Sequence, residues 1–123
     1  METGQMIEIS SHIEDGFKVM TEFGEWKVGM LRYSERFSRV GEMERRLLSN
    51  EVFVLASGKA TLYTDKETVE MEMNTVYTVP VGTWHHIVVS KDATVIVVEN
   101  RNTSIENTEK KYFEQGEKIN AYK

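Results

Sequence analysis

Two short sequence patterns place a carboxylate and an imidazole where they can act together. The first is Glu51-x6-Gly58, in which the carboxylate begins an apolar run, and the second is Pro80-x-Gly82-x2-His85, in which the imidazole follows a tight turn. Histidine titrates near neutrality and can move protons, and a neighbouring carboxylate can orient it. Neither pattern is specific alone, but together, with a short β-rich stretch between them, they predict one small-molecule pocket.

The elements that must position these residues are short strands. Eight segments are rich in β-branched and aromatic residues and are bounded by turn residues. They are 17–23, 26–33, 51–56, 59–64, 68–73, 76–79, 85–89 and 94–98. Strands at this near-regular spacing, with no linker between them, predict one all-β domain over 1–123, built as a sandwich or barrel with its core at about 17–100.

The last part of the chain, 101–123, differs from the strand region. Its residues lose the two-residue alternation, and Ile105, Tyr112 and Phe113 fall on one helical stripe. This pattern predicts a short C-terminal helix that packs on the barrel.

The alternation of side chains along a strand indicates which residues share a face. Glu51, Phe53 and Leu55 belong together, His85, Ile87 and Val89 form a second set, and Glu44, Arg46 and Leu48 a third, while His86 points away. The predicted site is a few polar groups in an apolar cup, with an aromatic residue at its mouth, which suits a small polar ligand. Its residues are Glu44, Arg46, Glu51, Phe53, Trp84, His85 and Ile87.

Two strands are apolar on both faces, namely 51–56 and 94–98. Such strands require cover on both sides. A second packed sheet would provide it within the chain, and a partner subunit would provide it in a homodimer. We expect a homodimer, because two-fold dimers are the commonest oligomers.

Charge and composition exclude several classes of function. The net charge of −5 over 123 residues offers no field for phosphate backbones, so nucleic acid is not an expected partner. The absence of cysteine removes disulfides, thiolate chemistry and cysteine-bound zinc. The N-terminal residues lack a basic start with an apolar run, and no stretch has the apolar length of a membrane span, so we expect a cytoplasmic protein without a membrane partner.

The two patterns resemble the motifs of the cupin superfamily, Gly-x5-His-x-His-x3,4-Glu-x6-Gly and Gly-x5-Pro-x-Gly-x2-His-x3-Asn. Glu51, Gly58, Pro80, Gly82 and His85 stand at matching positions. The chain differs from the motifs at the remaining positions. Ser38 and Asn74 stand where the motifs have glycine, Glu44 and Arg46 where they have histidine, and Val89 where they have asparagine. The resemblance spans 42–100 and implies a small single-domain cupin: a jelly-roll, or double-stranded β-helix, barrel.

The resemblance also implies a metal site, but with an incomplete ligand set. Cupins that bind a metal use three histidines and one glutamate, of which only Glu51 and His85 remain here. A guanidinium at Arg46 repels a divalent cation, whereas Glu44, Glu51 and His85 together are acceptable donors for one. We therefore favour no cofactor, with a divalent metal on these three residues as the alternative.

Three functions remain open from the sequence. The first is binding of a small polar, anionic or carbohydrate-like ligand without catalysis, with Arg46 holding an anion. The second is a metal-independent sugar isomerase or epimerase, in which His85 is the acid/base and Glu51 orients it. The third is a metal-dependent enzyme that uses Glu44, Glu51 and His85.

Overall fold

The computed structural model describes residues 6–113, which form ten β-strands and two 3-10 turns. The strands follow the alternating β-branched and aromatic segments of the sequence. In chain order they are β1 (Phe17–Phe23), β2 (Trp26–Arg32), β3 (Glu42–Arg46), β4 (Glu51–Ser57), β5 (Ala60–Thr64), β6 (Thr68–Glu70), β7 (Tyr77–Val79), β8 (His85–Val89), β9 (Thr94–Asn100) and β10 (Thr108–Tyr112). The 3-10 turns are Glu35–Phe37 and Ile105–Asn107.

The strands form two five-stranded sheets whose neighbours run antiparallel. Sheet A has the order β1-β2-β9-β4-β7, and sheet B has the order β10-β3-β8-β5-β6. Consecutive strands repeatedly fall in different sheets, as in a jelly-roll. All eight segments predicted from the sequence contain strands, and the all-β class is confirmed.

The core lies between the sheets and is formed by alternate residues of the central strands. Phe53 and Leu55 of β4 pair with Val97 and Val95 of β9, and all four are at most 4% exposed. Leu62 of sheet B contributes to the same cluster. The two-residue period of these strands thus directs one face of each sheet inward.

The turn after β4 explains the glycine that closes the first motif. Gly58 has a φ of +73°, and a Cβ on it would lie 2.5 Å from the Cα of Ala93. Only glycine allows both the backbone conformation and the close approach. Asn74, which replaces a motif glycine, also has a positive φ, of 61°, and asparagine tolerates this conformation better than most residues.

The predicted C-terminal helix is wrong for the residues that the structure describes. Residues 105–107 form only a 3-10 turn, and 108–112 form β10, which pairs with β3 from Thr108 to Tyr112. Pairing with the exposed backbone of β3 outweighs the weak helical pattern. Residues 114–123, on which the rest of that prediction fell, lie outside the described residues.

The outer face of sheet A is apolar across its three central strands. Val54 pairs with Ile96 and Val52 with Val98, and all four side chains are half-buried. Sheet B packs only against the inner face. Among the described residues, no second sheet therefore covers the outer face of the strands that are apolar on both faces.

Among residues 6–113, no helix is both long and apolar enough to cross a membrane.

Candidate functional site

Glu51 and His85 meet inside the barrel. Glu51 begins β4 in sheet A, and His85 begins β8 in sheet B, so the two side chains approach from opposite layers. His85 Nε2 and Glu51 Oε1 are 2.9 Å apart, and each residue is 3% exposed. The carboxylate and the imidazole of the two sequence patterns are therefore in direct contact.

The turn before β8 fixes the orientation of His85. Gly82, with a φ of +83°, donates its backbone N–H to the carbonyl of Arg46 at 2.9 Å. Thr83 donates its N–H to the carbonyl of Pro80 at 3.1 Å, which closes the turn. The carbonyl of Thr83 then faces Nδ1 of His85 at 2.9 Å.

Both ring nitrogens of His85 face hydrogen-bond acceptors, which indicates a doubly protonated imidazolium. A carbonyl and a carboxylate have no proton to donate, so each contact requires an N–H on the ring. Burial alone would lower the pKa of His85, but the hydrogen bond and negative charge of Glu51 outweigh burial and raise it. Burial alone would raise the pKa of Glu51, but His85 and Arg46 hold it below its ordinary value. The pair is therefore ionic.

Arg46 lies among three buried carboxylates. Its Nη1 donates to Glu44 Oε1 at 2.8 Å and to Thr108 Oγ1 at 3.0 Å. Its Nε lies 3.3 Å from Glu51 Oε1 and 3.5 Å from Glu99 Oε1. Burial alone would lower the pKa of Arg46, but the three carboxylates reverse this effect and raise it. The charge of this guanidinium is thus offset by the protein itself.

Arg36, a residue that sequence reasoning missed, holds the outer side of Glu44. It lies in the 3-10 turn Glu35–Phe37 and pairs with Glu44 Oε2, and its Nε donates to Glu42 Oε2 at 3.2 Å. Glu44 therefore has a cation on each carboxylate oxygen. No strand pattern in the sequence could indicate that this turn folds over β3.

Glu99 is the second missed residue. It follows Val95 and Val97 on β9 at two-residue spacing, is 7% exposed, and lies 3.7 Å from Lys27 Nζ. Burial raises the pKa of Glu99, and the negative charge of Glu51 adds to this effect, so that the pKa is about 7. The alternation of β9, continued two residues past Val97, would have identified it.

These groups surround a small inner chamber that opens outward. The inner chamber has a volume of about 60 Å³, and an adjoining vestibule has about 220 Å³. Both are lined by Phe17, Arg36, Glu44, Arg46 and Glu99. Because these residues are shared, the two spaces form one continuous site.

Six of the seven predicted site residues line the inner chamber. They are Glu44, Arg46, Glu51, Phe53, His85 and Ile87. The ring of Phe53 contacts His85 edge-on, with ring centroids 6.0 Å apart. An apolar floor beneath converging charges is the form expected of a ligand pocket.

Trp84 is the exception, because it does not line this chamber or its vestibule. Its ring contacts the cationic groups of Arg45 and Lys111, each 4.6 Å from the ring centroid. It lines a separate cavity of about 530 Å³, which reaches from β6 to β7. As the residue before His85, it is directed away from the site by strand alternation. That cavity is larger than the chamber and the vestibule together, but none of the buried charged groups lines it.

His86 is also buried, at 2% exposure, although it points away from Glu51 as predicted. Its Nε2 donates to the carbonyl of Arg36 at 3.0 Å, and its ring stacks on Phe37. Burial lowers its pKa, which keeps the ring neutral. His86 therefore supports the turn that carries Arg36.

The ligand set Glu44, Glu51 and His85 does not fit a divalent cation. An imidazolium has no lone pair for a metal, and both carboxylates are paired with Arg46. Arg46 also brings a permanent positive charge to the place of a neutral ligand.

A second group, Glu42, Glu44 and His86, has ligand atoms that all lie within 4.8 Å of one another. Carboxylate and imidazole are donors that divalent metals accept. The guanidinium of Arg36 is paired with both carboxylates, however, so a cation at this group would have to displace it.

Comparison with protein-family models finds no match, and comparison with curated proteins finds none either. Solved structures do match. The chain is similar to the Streptomyces nucleoside dehydratase Pac13, with a TM-score of 0.64 and 14% identity over 83% of each chain. A cupin-2 domain protein from Shewanella frigidimarina has a TM-score of 0.58 and 16% identity over 76% of this chain and 85% of that one.

KdgF from a Halomonas species is similar at a TM-score of 0.56 and 14% identity, over 73% of this chain and 83% of that one. At these identities the likeness concerns the fold. It agrees with the two jelly-roll sheets and with the five motif residues at their turns and strand starts. The chain has the fold of a small cupin domain.

Proposed function

We propose that the protein binds a small, neutral, hydroxyl-rich molecule in the chamber and vestibule at the end of its barrel. The observation that carries this proposal is the engagement of Arg46 by Glu44, Glu51 and Glu99. Because its charge is already offset, Arg46 offers little attraction to an anion. This weighs against the expectation that it holds an anionic ligand and favours the carbohydrate-like one.

The chemistry of the lining also favours hydroxyl groups. Carboxylates accept hydrogen bonds from hydroxyls, and the arginine and lysine groups of the vestibule donate to them. The floor of Phe53 and Ile87 suits the carbon face of a ring. The chamber and vestibule together approach the lower end of ordinary ligand pockets, about 300 Å³, so a monosaccharide is a suitable size.

The similarity to Pac13 supports the same ligand class. Pac13 variants were solved with uridine, a nucleoside that contains a ribose ring. The identity is too low to transfer the substrate.

A second candidate function is proton transfer on such a ligand, as in a sugar isomerase or epimerase. The contact between His85 and Glu51 supports it, but with a changed role for the histidine. An imidazolium donates a proton and does not remove one. His85 would act as the acid, passing its Nε2 proton to the ligand through Glu51, and a second carboxylate of the chamber, Glu99, would be the base that removes a proton from the ligand.

Calorimetry with matched neutral and anionic ligands tests the proposed function. D-ribose and uridine are compared with D-ribose 5-phosphate and uridine 5′-monophosphate. We expect the neutral member of each pair to bind more tightly, because the cationic groups of the vestibule are already paired with carboxylates and a phosphate would have to displace those partners. Tighter binding of the phosphates, or no binding of any of the four, would contradict the proposal.

A Trp84→Leu variant provides the control. Because Trp84 lines a separate cavity, the variant should bind D-ribose and uridine as the wild type does. A loss of binding in this variant would place the ligand elsewhere.

A further inference from the structure

Phe17 is an aromatic residue whose ring lies over a glycine in the middle of a strand. Gly29 stands inside β2, and a Cβ on it would collide with Cζ and Cε1 of Phe17. The ring therefore occupies the space that a side chain at Gly29 would take. Glycine inside a strand weakens it and often marks a close approach, which here is that of the Phe17 ring.

The ring of Phe17 completes a row of apolar side chains on the inner face of sheet A. Gly29 pairs with Val97 of β9, and Val97 pairs with Phe53 of β4. Residues that pair across strands share one face of the sheet. Because Gly29 has no side chain, Phe17 supplies the missing member of this row. Phe17, Val97 and Phe53 all line the inner chamber.

Phe17 also extends the apolar row from the inner chamber into the vestibule. It is 39% exposed and lines both spaces. Among the described residues that line the vestibule, it is the only aromatic one. The ring is thus anchored on the backbone of β2, while part of the residue remains accessible from the cavity.

Backbone hydrogen bonds fix the start of β1, where Phe17 lies. Gly16, with a φ of +90°, donates its N–H to the carbonyl of Tyr33 at 3.1 Å. Its carbonyl accepts the N–H of Arg32 at 2.9 Å, and Phe17 itself pairs with Leu31. A ring that is already held in place loses little conformational freedom when a ligand binds, which favours affinity.

The part of the vestibule that belongs to sheet B is polar. Glu44 and Arg46 of β3 and Lys110 of β10 line it. The vestibule is also the larger of the two spaces, with about 220 Å³ against about 60 Å³, so most of a ring-sized ligand would lie there. A sugar ring matches both sides, because it has a carbon face for Phe17 and hydroxyl groups for the polar residues.

We propose that Phe17 is the residue that selects cyclic ligands, by packing its ring against the carbon face of a sugar ring in the vestibule. The proposal rests on the proposed function, since it names the contact that distinguishes a cyclic from an open-chain hydroxyl-rich ligand. An aromatic ring offers a large, flat apolar surface on which the C–H groups of the sugar pack. The hydroxyl groups at the edge of the sugar then remain able to reach the polar groups of sheet B.

Calorimetry with D-ribose, uridine and the open-chain polyol ribitol tests this role. The wild type should bind D-ribose and uridine more tightly than ribitol, which has hydroxyl groups but no ring. Phe17→Leu keeps an apolar side chain without the flat ring. It should bind the two cyclic ligands roughly fivefold more weakly and lose the preference over ribitol. Phe17→Tyr retains the ring and should preserve that preference.

A second variant displaces the ring without removing it. Gly29→Ala adds a Cβ where the ring of Phe17 lies, and should weaken the binding of the cyclic ligands in the same way. Phe23→Leu is the matched control, because Phe23 ends the same strand, is 73% exposed and lines neither space. It should bind all three ligands as the wild type does, and an equal loss in this control would overturn the proposal.

The outcomes separate this proposal from the proposed function. If the cyclic ligands bind the wild type and Phe17→Leu equally well, the role of Phe17 is wrong while the proposed function stands. If none of the three ligands binds the wild type, both are wrong. Should Phe17→Leu not fold, nuclear Overhauser contacts between the ring of Phe17 and D-ribose in the wild type decide the matter. Contacts to the C–H protons of the sugar support the proposal, and their absence overturns it.

Discussion

His85 and Glu51 bridge the two sheets of the barrel, with Nε2 and Oε1 2.9 Å apart. They are the first residues of β8 and β4, and both are almost fully buried. The bridge also determines the charge of the histidine, because the carbonyl of Thr83 occupies the other ring nitrogen. Two motif positions that hold a metal in many cupins are joined here as an ion pair.

Removal of His85 should therefore destabilise the fold strongly. His85→Ala leaves the carboxylate of Glu51 buried with only Arg46 to pair with it. Breaking a buried pair costs about 3 kcal/mol or more in the free energy of unfolding. The double variant Glu51→Leu/His85→Leu should cost less than His85→Ala, because it leaves no unpaired charge. Urea denaturation gives the free energy of unfolding of the wild type and of both variants. A loss in the double variant that equals or exceeds the loss in His85→Ala would contradict the ionic assignment.

The same pair predicts how stability changes with pH. The pKa of Glu51 is lowered, so its contribution is present above the ordinary carboxyl pKa and is lost as the pH falls through the lowered value. The pKa of His85 is raised, so its contribution is present below the ordinary histidine pKa and is lost as the pH rises through the raised value. The melting temperature of wild type minus that of His85→Gln should thus decline on both sides of neutrality. If this difference in melting temperature did not change with pH, the prediction would be wrong.

The turn at Gly58 should tolerate no side chain. Gly58→Ala would place a Cβ 2.5 Å from the Cα of Ala93, in addition to the strain of a positive φ. Gly24→Ala is the matched control, because Gly24 also has a positive φ, of 59°, but no atom within 4 Å. We expect a cost of about 1 kcal/mol for the control from backbone strain and roughly 1–3 kcal/mol more for Gly58→Ala from overpacking. Equal effects in denaturant unfolding would show that the contact with Ala93 is unimportant.

Restoring the two histidine positions should create a metal site. Glu44→His/Arg46→His replaces the guanidinium and one carboxylate, and together with Glu51 and His85 gives three imidazoles and one carboxylate. Zinc, nickel and manganese accept such donors. Elemental analysis after dialysis should find about one metal ion per chain in the double variant. Glu44→His alone, which retains Arg46, should contain none; metal in that variant would mean that Arg46 does not block the site.

The apolar outer face of sheet A leads us to propose that two copies of the chain pair through it. Val54→Asp and Ile96→Asp place charges at the centre of this face and should convert a dimer into a folded monomer. Thr61→Asp, on β5 of the other sheet, is the control and should leave the dimer intact. Light scattering after gel filtration gives the molecular mass. A monomeric wild type would refute the proposal.

The fold could be predicted because its strands are short runs of β-branched and aromatic residues and its turns carry glycine. Strands β4 and β8 are such apolar runs, and Gly58 and Gly82 mark their flanking turns. The tail was not predictable in this way. Its residues 108–112 are polar and become a strand only because β3 provides a hydrogen-bonding edge, which is a tertiary effect.

The site residues could be predicted only on strands, where the alternation of side chains determines which of them point inward. Glu44, Arg46, Glu51 and His85 share the inward direction of the apolar residues beside them, and the structure brings them together. Arg36 enters from a turn, so its position depends on packing that the local sequence does not encode. The charge state of His85 likewise depends on a carbonyl that only the folded turn presents.

The engagement of Arg46 by three carboxylates has a kinetic consequence. At the inner end of the vestibule, Arg36 and Arg46 are paired with Glu44, and His85 is paired with Glu51. Paired charges produce a weaker field than free ones, so they accelerate the diffusion of charged molecules towards the cavity less. The association rate of a neutral ligand should then be almost independent of ionic strength, and encounter with the barrel would be governed by the width of its entrance.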